Sequence, residues 1–161
     1  MIVVVMGVSG SGKTTIGKLL ATRLGCVFFD GDDFHPPANV AKMKAGTPLD
    51  DADRGPWLLK LNDLLRQSEK RGADTVLACS ALKQSYREIL ARGLPPCRFV
   101  YLNGDIELIR SRLDDRRHRY MPASLLESQF AALEPPQDCI AVDIARSVTV
   151  CVDSIAARLA R

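Results

Sequence analysis

Near the start of the chain, an apolar run and an amphipathic repeat enclose a stretch that admits few conformations. Ile2-Val3-Val4-Val5-Met6 is followed by Gly7-Val8-Ser9-Gly10-Ser11-Gly12-Lys13-Thr14-Thr15, and then by Ile16, Leu19, Leu20 and Leu24 at helical spacing. The run reads as a buried strand and the repeat as a helix. The loop between them fits G-x-x-x-x-G-K-[ST] in full. At ordinary residue frequencies that pattern arises by chance in such a chain with odds of about 1 in 200, and the strand–loop–helix setting makes accident rarer. Glycines let the backbone bend closely around an anion, with successive N–H groups pointing inward at it. The N-terminus of the helix adds a positive field. On this reading Gly7, Val8, Ser9, Gly10, Ser11, Gly12, Lys13, Thr14 and Thr15 hold the phosphates of a nucleotide. Lys13 reaches the β- and γ-phosphates, and the Thr14 hydroxyl ligates Mg²⁺.

Further apolar runs at Val27-Phe28-Phe29, Thr75 to Cys79, Phe99 to Leu102 and Cys139 to Val142 read as strands. Helical signals separate them. A short helix is expected within Asn39 to Leu49. A longer one starts at Asp50-Asp51-Ala52-Asp53-Arg54-Gly55-Pro56, with capping acids and a proline in its first turn. It carries Trp57, Leu58, Leu61, Leu64 and Leu65 on one face and runs to Arg71-Gly72. Tyr86, Ile89 and Leu90 mark another helix, as do Ile106, Ile109 and Leu113, then Leu125, Leu126, Phe130 and Leu133, and last Val148 to Leu159. Strands alternating with helices predict an α/β fold: one domain over residues 1–161, with a five-stranded parallel sheet covered by helices on both faces. Ligands bind such sheets beyond the carboxyl ends of the strands. The glycine-rich loop, the Asp30–Asp33 cluster and Ser80–Lys83 all fall at such ends, so one cleft is expected to gather them.

Phosphoryl transfer needs a phosphate cradle, a metal, a positioned acceptor and positive charge on the moving group. The third strand ends in Cys79-Ser80 without an acid, so Asp30, Asp32 and Asp33 must serve both metal and acceptor. Asp30 is assigned to Mg²⁺, and Asp32 to the acceptor hydroxyl as a positioning group or base. The competing role for these acids is to cap and solvate a loop. Arg54 sits near a helix N-terminus, where the dipole disfavours a cation, and with that terminus it would bind a carboxylate. Its alternative is a pair with Asp50 or Asp51. Lys83 either reaches the same cleft or lies on the surface. His35, beside Pro36-Pro37, is a substrate contact or a loop brace. The basic stretch Arg110–Arg119 suggests an arginine-rich lid, roughly residues 112–124, that excludes water and brings guanidinium charge to the phosphate. Arg112 and Arg116 are assigned to that work, Arg110 and Arg117 to a solvated face. Residues 34–56 form an excursion that holds the second substrate.

A net charge of +3, with the arginines gathered in one segment, and few aromatic residues argue against a nucleic-acid partner. No apolar run approaches the ~20 residues that cross a bilayer, and the N-terminus lacks a signal peptide's basic region and cleavage site. The five cysteines lack metal-site spacing and read as core thiols in a reducing compartment.

Taken together these residues resemble the bacterial-type gluconokinases, small kinases similar in fold to shikimate and adenylate kinases. The resemblance runs over nearly the whole chain. Beyond the phosphate loop it covers Phe29-Asp30-Gly31-Asp32 with His35-Pro36, then Asn39, Lys42-Met43, Gly46, Pro48-Leu49 and Asp53-Arg54-Gly55-Pro56-Trp57-Leu58. It continues through Cys79-Ser80-Ala81-Leu82-Lys83, Tyr86-Arg87, Arg112-Leu113, Arg116, Ser128-Gln129-Phe130 and Leu133-Glu134. It implies ATP-dependent, Mg²⁺-assisted phosphorylation of D-gluconate to 6-phospho-D-gluconate in the cytoplasm, by a homodimer. It supports the roles given to Asp30, Asp32 and Arg54. Where the family shows Gly-His before the aromatic residue of the lid, this chain has His118-Arg119 before Tyr120, and it carries an extra acid, Asp33. The rivals are a kinase for shikimate or another sugar acid, and a nucleotide-dependent regulatory module.

Overall fold

The computed structural model describes residues 1–114 and 125–161. The sheet is built from β1 (Ile2–Met6), β2 (Val27–Asp30), β3 (Thr75–Ala78), β4 (Arg98–Asn103) and β5 (Ile140–Asp143), in the spatial order β2-β3-β1-β4-β5. Every neighbouring pair is parallel. Helices α1 (Lys13–Leu24), α2 (Pro37–Lys44), α3 (Asp51–Lys70), α4 (Gln84–Ala91), α5 (Ile106–Asp114), α6 (Leu126–Ala132) and α7 (Val148–Leu159) make the connections. The five-stranded parallel α/β architecture expected from the strand–helix alternation is therefore the one observed. The expected lid at 112–124 lies almost entirely outside the described residues, and with it Arg116, Arg117, His118 and Arg119.

The alternation within β1 explains why both sheet faces are covered. Successive strand side chains point to opposite faces. Val3 and Val5 pack with Ile16 and Leu20 of α1, Ile109 of α5, Leu126 of α6 and Ile155 of α7. Ile2, Val4 and Met6 pack on the other face with Trp57, Leu58, Leu61 and Leu65 of α3 and Tyr86 and Leu90 of α4. All five residues of β1 are buried, so a continuous apolar run is what a central parallel strand requires. Each fully buried Leu or Val adds roughly 1.5–3 kcal/mol of apolar burial, and this double core makes the sheet a rigid platform.

Two local devices place the functional loops. Asp50 caps α3: its carboxylate accepts from the Asp53 amide at 2.7 Å, while Asp53 accepts from the Asp50 amide at 3.0 Å. That reciprocal box sets the first turn, on which Arg54 stands. Behind β2 the chain tightens into a 3₁₀ turn, Gly31–Phe34. A Cβ at Gly31 would lie 2.8 Å from the Ala78 carbonyl oxygen, so only glycine lets the turn press against β3.

Candidate active site

The loop between β1 and α1 curls as its glycines demand. Gly10 and Gly12 have φ of 80° and 94°, in the left-handed region, and the Gly12 conformation opens α1 directly onto the loop. The loop is braced from outside. Ser9 N–H donates to the buried Gln129 Oε1 at 2.7 Å, and Gly7 N–H donates to the Ser80 carbonyl at 3.3 Å. Lys13 Nζ donates to the Val8 carbonyl at 2.9 Å, folding the cation back over the loop. Burial lowers the Lys13 pKa, with Asp32, Cys79 and Asp30 pulling the other way, so the ammonium faces acids in an enclosed setting. The Ser11 hydroxyl is fully buried and has no hydrogen-bond partner among the described residues. A cradle with an orphaned hydroxyl and an enclosed cation suits an anionic tail.

At the mouth of the loop the Thr14 hydroxyl donates to Asp30 Oδ2 at 2.7 Å. The other Asp30 oxygen accepts from the Asp32 amide at 3.0 Å, capping the 3₁₀ turn. Threonine hydroxyl and carboxylate are hard oxygen donors beside a phosphate cradle, a set that fits Mg²⁺ completed by phosphate oxygens and water. Among the described residues no group of three or more His, Cys, Asp and Glu could hold a metal by itself.

Two clefts meet here. One is lined by Gly10, Gly12, Lys13, Thr14, Thr15, Asp32, Arg112 and Leu113. The other, the narrower, is lined by Ser9, Lys13, Asp32, His35, Met43, Leu49, Arg54, Trp57, Ser80 and Gln129. Lys13 and Asp32 line both, so they form the shared wall. A third cleft is lined by Gly10, Gly12 and Thr15 of the loop region together with Arg112, Ile144, Arg146 and Val148. Arg112 is held in that position by a hydrogen bond from Nη2 to the Ile144 carbonyl at 2.6 Å.

Arg54 lines the second cleft, the one that also holds His35 and Trp57. It is 7% exposed, and its Nε has no partner. Among the described residues no carboxylate lies within ion-pair distance of it. The acids around it are engaged elsewhere: Asp51 accepts from Lys83 at 3.0 Å and from the Tyr86 hydroxyl, and Asp53 accepts from Lys42 at 2.8 Å. Those bonds hold both carboxyls below the usual range, Asp51 through Tyr86 and then Lys83, Asp53 through Lys42. The alternative pair of Arg54 with Asp50 or Asp51 is thus absent. The guanidinium lies 5.3 Å from the Tyr86 ring, a cation–π contact of about 1–2 kcal/mol. That does not offset the several kcal/mol of burying an unpaired cation. Among the described residues, no anion pairs with this guanidinium.

Lys83 is the expected site residue that the structure does not bring to the cleft. Its ammonium is turned to Asp51, and it lines neither cleft around Asp32. The intervening turn explains this: Ala81 adopts φ 45°, and Arg87 pins the Ala81 and Leu82 carbonyls at 2.8 and 3.1 Å. Ser80 is left facing the cleft, and the chain turns away before Lys83. Cys79, beside Lys13, has its pKa pushed up by burial to about 12, so it is a neutral thiol. All five cysteines are free. Gln129, Met43, Leu49 and Trp57 also line the cleft. Periodicity marks Trp57 only as core, and Gln129 carries no signal of its own in the spacing.

A family model described as an AAA domain matches residues 2–136. A gluconokinase of Gluconobacter oxydans (strain 621H) is 55% identical over 135 residues, covering 84% of this chain and 76% of the relative. This chain belongs to the gluconokinase family. A crystal structure of a gluconokinase from Sinorhizobium meliloti 1021 superposes on it with a TM-score of 0.90 at 41% identity, covering 99% of this chain and 91% of that one. Shikimate kinase from Aquifex aeolicus vf5, at 18% identity and a TM-score of 0.63, shares the fold alone. Family membership brings nucleotide use with it, and the three clefts around the loop are where a nucleotide and a second substrate would lie.

Proposed function

We propose that this chain transfers the γ-phosphoryl group of ATP to the terminal hydroxyl of D-gluconate, giving ADP and 6-phospho-D-gluconate. The observation that carries this reading is the shared wall: Lys13 and Asp32 line both the loop-side cleft and the cleft that Arg54, unpaired among the described residues, also lines. An acid whose carboxylate meets Arg54 extends its far end toward Asp32 and the phosphate loop. The Gluconobacter oxydans relative and the Sinorhizobium meliloti structure are both named gluconokinases, which agrees with a polyhydroxy acid in that place.

In the transfer, the oxygen on C6 bonds to the γ-phosphorus as the bond from that phosphorus to the β,γ-bridging oxygen breaks. Asp32 orients the C6 hydroxyl and accepts its proton. The loop amides and Lys13 hold the β- and γ-phosphates, and Lys13, at the boundary of the two clefts, follows the charge as it moves. Mg²⁺, held by Thr14 and Asp30, offsets phosphate charge when bound. Arg112 reaches the nucleotide from the loop-side clefts, and Arg116 is assigned to the transferring group. His35 and Arg54 bind the acid. The chain works in the cytoplasm as a homodimer, in keeping with the family resemblance. No described helix is long and apolar enough to cross a membrane.

A coupled assay of ADP release with a panel of acids tests this reading. Turnover is expected with D-gluconate and not with shikimate. Turnover with shikimate alone would overturn the substrate, and a basal rate unmoved by any acid would point to a nucleotide-dependent regulatory module instead.

A further inference from the structure

His35 is held more tightly than a residue that merely lines a cleft. Its side chain is 4% exposed. The ring stacks on Trp57 with centroids 4.1 Å apart and planes 17° from parallel. Trp57 is itself fixed, its indole N–H donating to the Gly31 carbonyl at 2.8 Å. The ring plane is therefore set by the 3₁₀ turn and by α3 together. What remains is which ring nitrogen carries the hydrogen, and Asn39 decides that.

Asn39 is buried, and its Nδ2 makes two contacts: the Asp53 carbonyl at 2.9 Å and His35 Nδ1 at 3.3 Å. A backbone carbonyl only accepts, so the atom facing it is the amide nitrogen and not the amide oxygen. The second hydrogen of that nitrogen then points at Nδ1, which must offer a lone pair. A neutral imidazole with a bare Nδ1 carries its hydrogen on Nε2. Burial, and then Arg54, push the His35 pKa down to about 4, consistent with a neutral ring. Nε2 lies 3.9 Å from Asp32 Oδ1, too far for a direct hydrogen bond. The gap takes one hydroxyl oxygen at about 2.8 Å from each.

Resting on D-gluconate as the acceptor, we propose that Asn39 is a positioning residue that sets the tautomer of His35, and that the resulting Nε2–H and Asp32 Oδ1 form a donor–acceptor pair reading one substrate hydroxyl. A hydroxyl accepts from His35 and donates to Asp32. A ketone only accepts, and its oxygen would face the carboxylate. A missing oxygen leaves the ring N–H of the 4% exposed His35 side chain without its acceptor. Asp32 gives its second oxygen to the hydroxyl that receives the phosphoryl group. Hydroxyls on neighbouring carbons match the two oxygens of one carboxylate, which places the hydroxyl read by His35 on C5.

Two measurements on the full chain test this. The first is nitrogen-15 NMR of the histidine rings; the chain has two histidines, and the His35→Phe spectrum assigns them by loss of signal. The expected result is a protonated Nε2 and a bare Nδ1 for His35. A proton on Nδ1 would overturn the tautomer, whatever the enzyme phosphorylates. The second is kinetics with D-gluconate, 5-deoxy-D-gluconate and 5-keto-D-gluconate. The wild type should prefer D-gluconate over each analogue by about 100-fold or more in kcat/KM. Asn39→Leu and His35→Phe should each lower the gluconate-to-deoxy preference about tenfold, one hydrogen bond's worth, mainly through the KM of the acid. The double variant should lose no more than His35→Phe alone, because Asn39 acts through His35. Equal use of the 5-keto acid, an unchanged preference in both variants, or additive losses in the double variant would overturn the pair. If Asn39→Leu does not fold, the His35→Phe preference and the wild-type spectrum decide between the same outcomes. Absence of any gluconate turnover by the wild type would overturn the acceptor itself, and with it the hydroxyl half of the proposal.

Discussion

Lys13 and Arg54 are cations with opposite situations. Lys13 is shared between a carbonyl of its own loop and two acids, and on phosphate binding it can turn to the anion without leaving an acid unpaired. Lys13→Ala is therefore expected to cut kcat by about 10²–10³ or more while the fold persists, measured by steady-state kinetics alongside circular dichroism. Arg54 has no ion-pair partner among the described residues. Arg54→Ala should raise the KM for gluconate about 100-fold, as loss of a buried charge partner does, and leave the KM for ATP little changed. His35 offers a test in pH. Its folded pKa of about 4 lies below the ordinary 6.5, so between those values the unfolded chain takes up a proton that the folded chain excludes. Stability from this group is present above pH 6.5 and is lost as pH falls toward 4, by up to about 3 kcal/mol. Denaturant titrations at several pH values should show that slope in the wild type and a shallower one in His35→Phe. That Lys13, Asp32 and Arg54 would line one cleft was legible in the sequence, because each sits at a fixed offset from a strand end or a cap. The contact of Asn39 with the Asp53 carbonyl was not, since spacing does not reveal it.

The helices and strands were legible because their patterns are strong: a continuous apolar run in β1, and apolar faces at helical spacing in α3 and α7. Their boundaries follow from chemistry that also sets function. The Asp50–Asp53 box begins α3 and so fixes the height at which Arg54 enters the cleft. Asp50→Ala should cost about 1 kcal/mol, lowering Tm by roughly 2–4 °C, and should raise the gluconate KM as the first turn frays; calorimetry and kinetics check the two effects together. The β3–α4 turn shows where pattern reading stops. Lys83 follows a strand end directly, yet the left-handed Ala81 and the Arg87 bonds steer it to Asp51. That turn depends on a guanidinium from the next helix, which no local signal announces.

At the scale of the molecule, alternation of strands and helices implied a parallel sheet, but not the order β2-β3-β1-β4-β5. The order matters because it sets β3 between β1 and β2, so the phosphate loop after β1, the acids after β2 and Ser80 after β3 meet at one rim. Gathering these strand ends makes two clefts with a common wall, and the account rests on that wall. The direct test is to follow the complete reaction by phosphorus NMR, with and without D-gluconate. The account predicts one 6-phospho-D-gluconate for each ADP formed, with far slower ADP release when the acid is omitted. ADP formed at the same rate without gluconate, and accompanied by free phosphate, would contradict it.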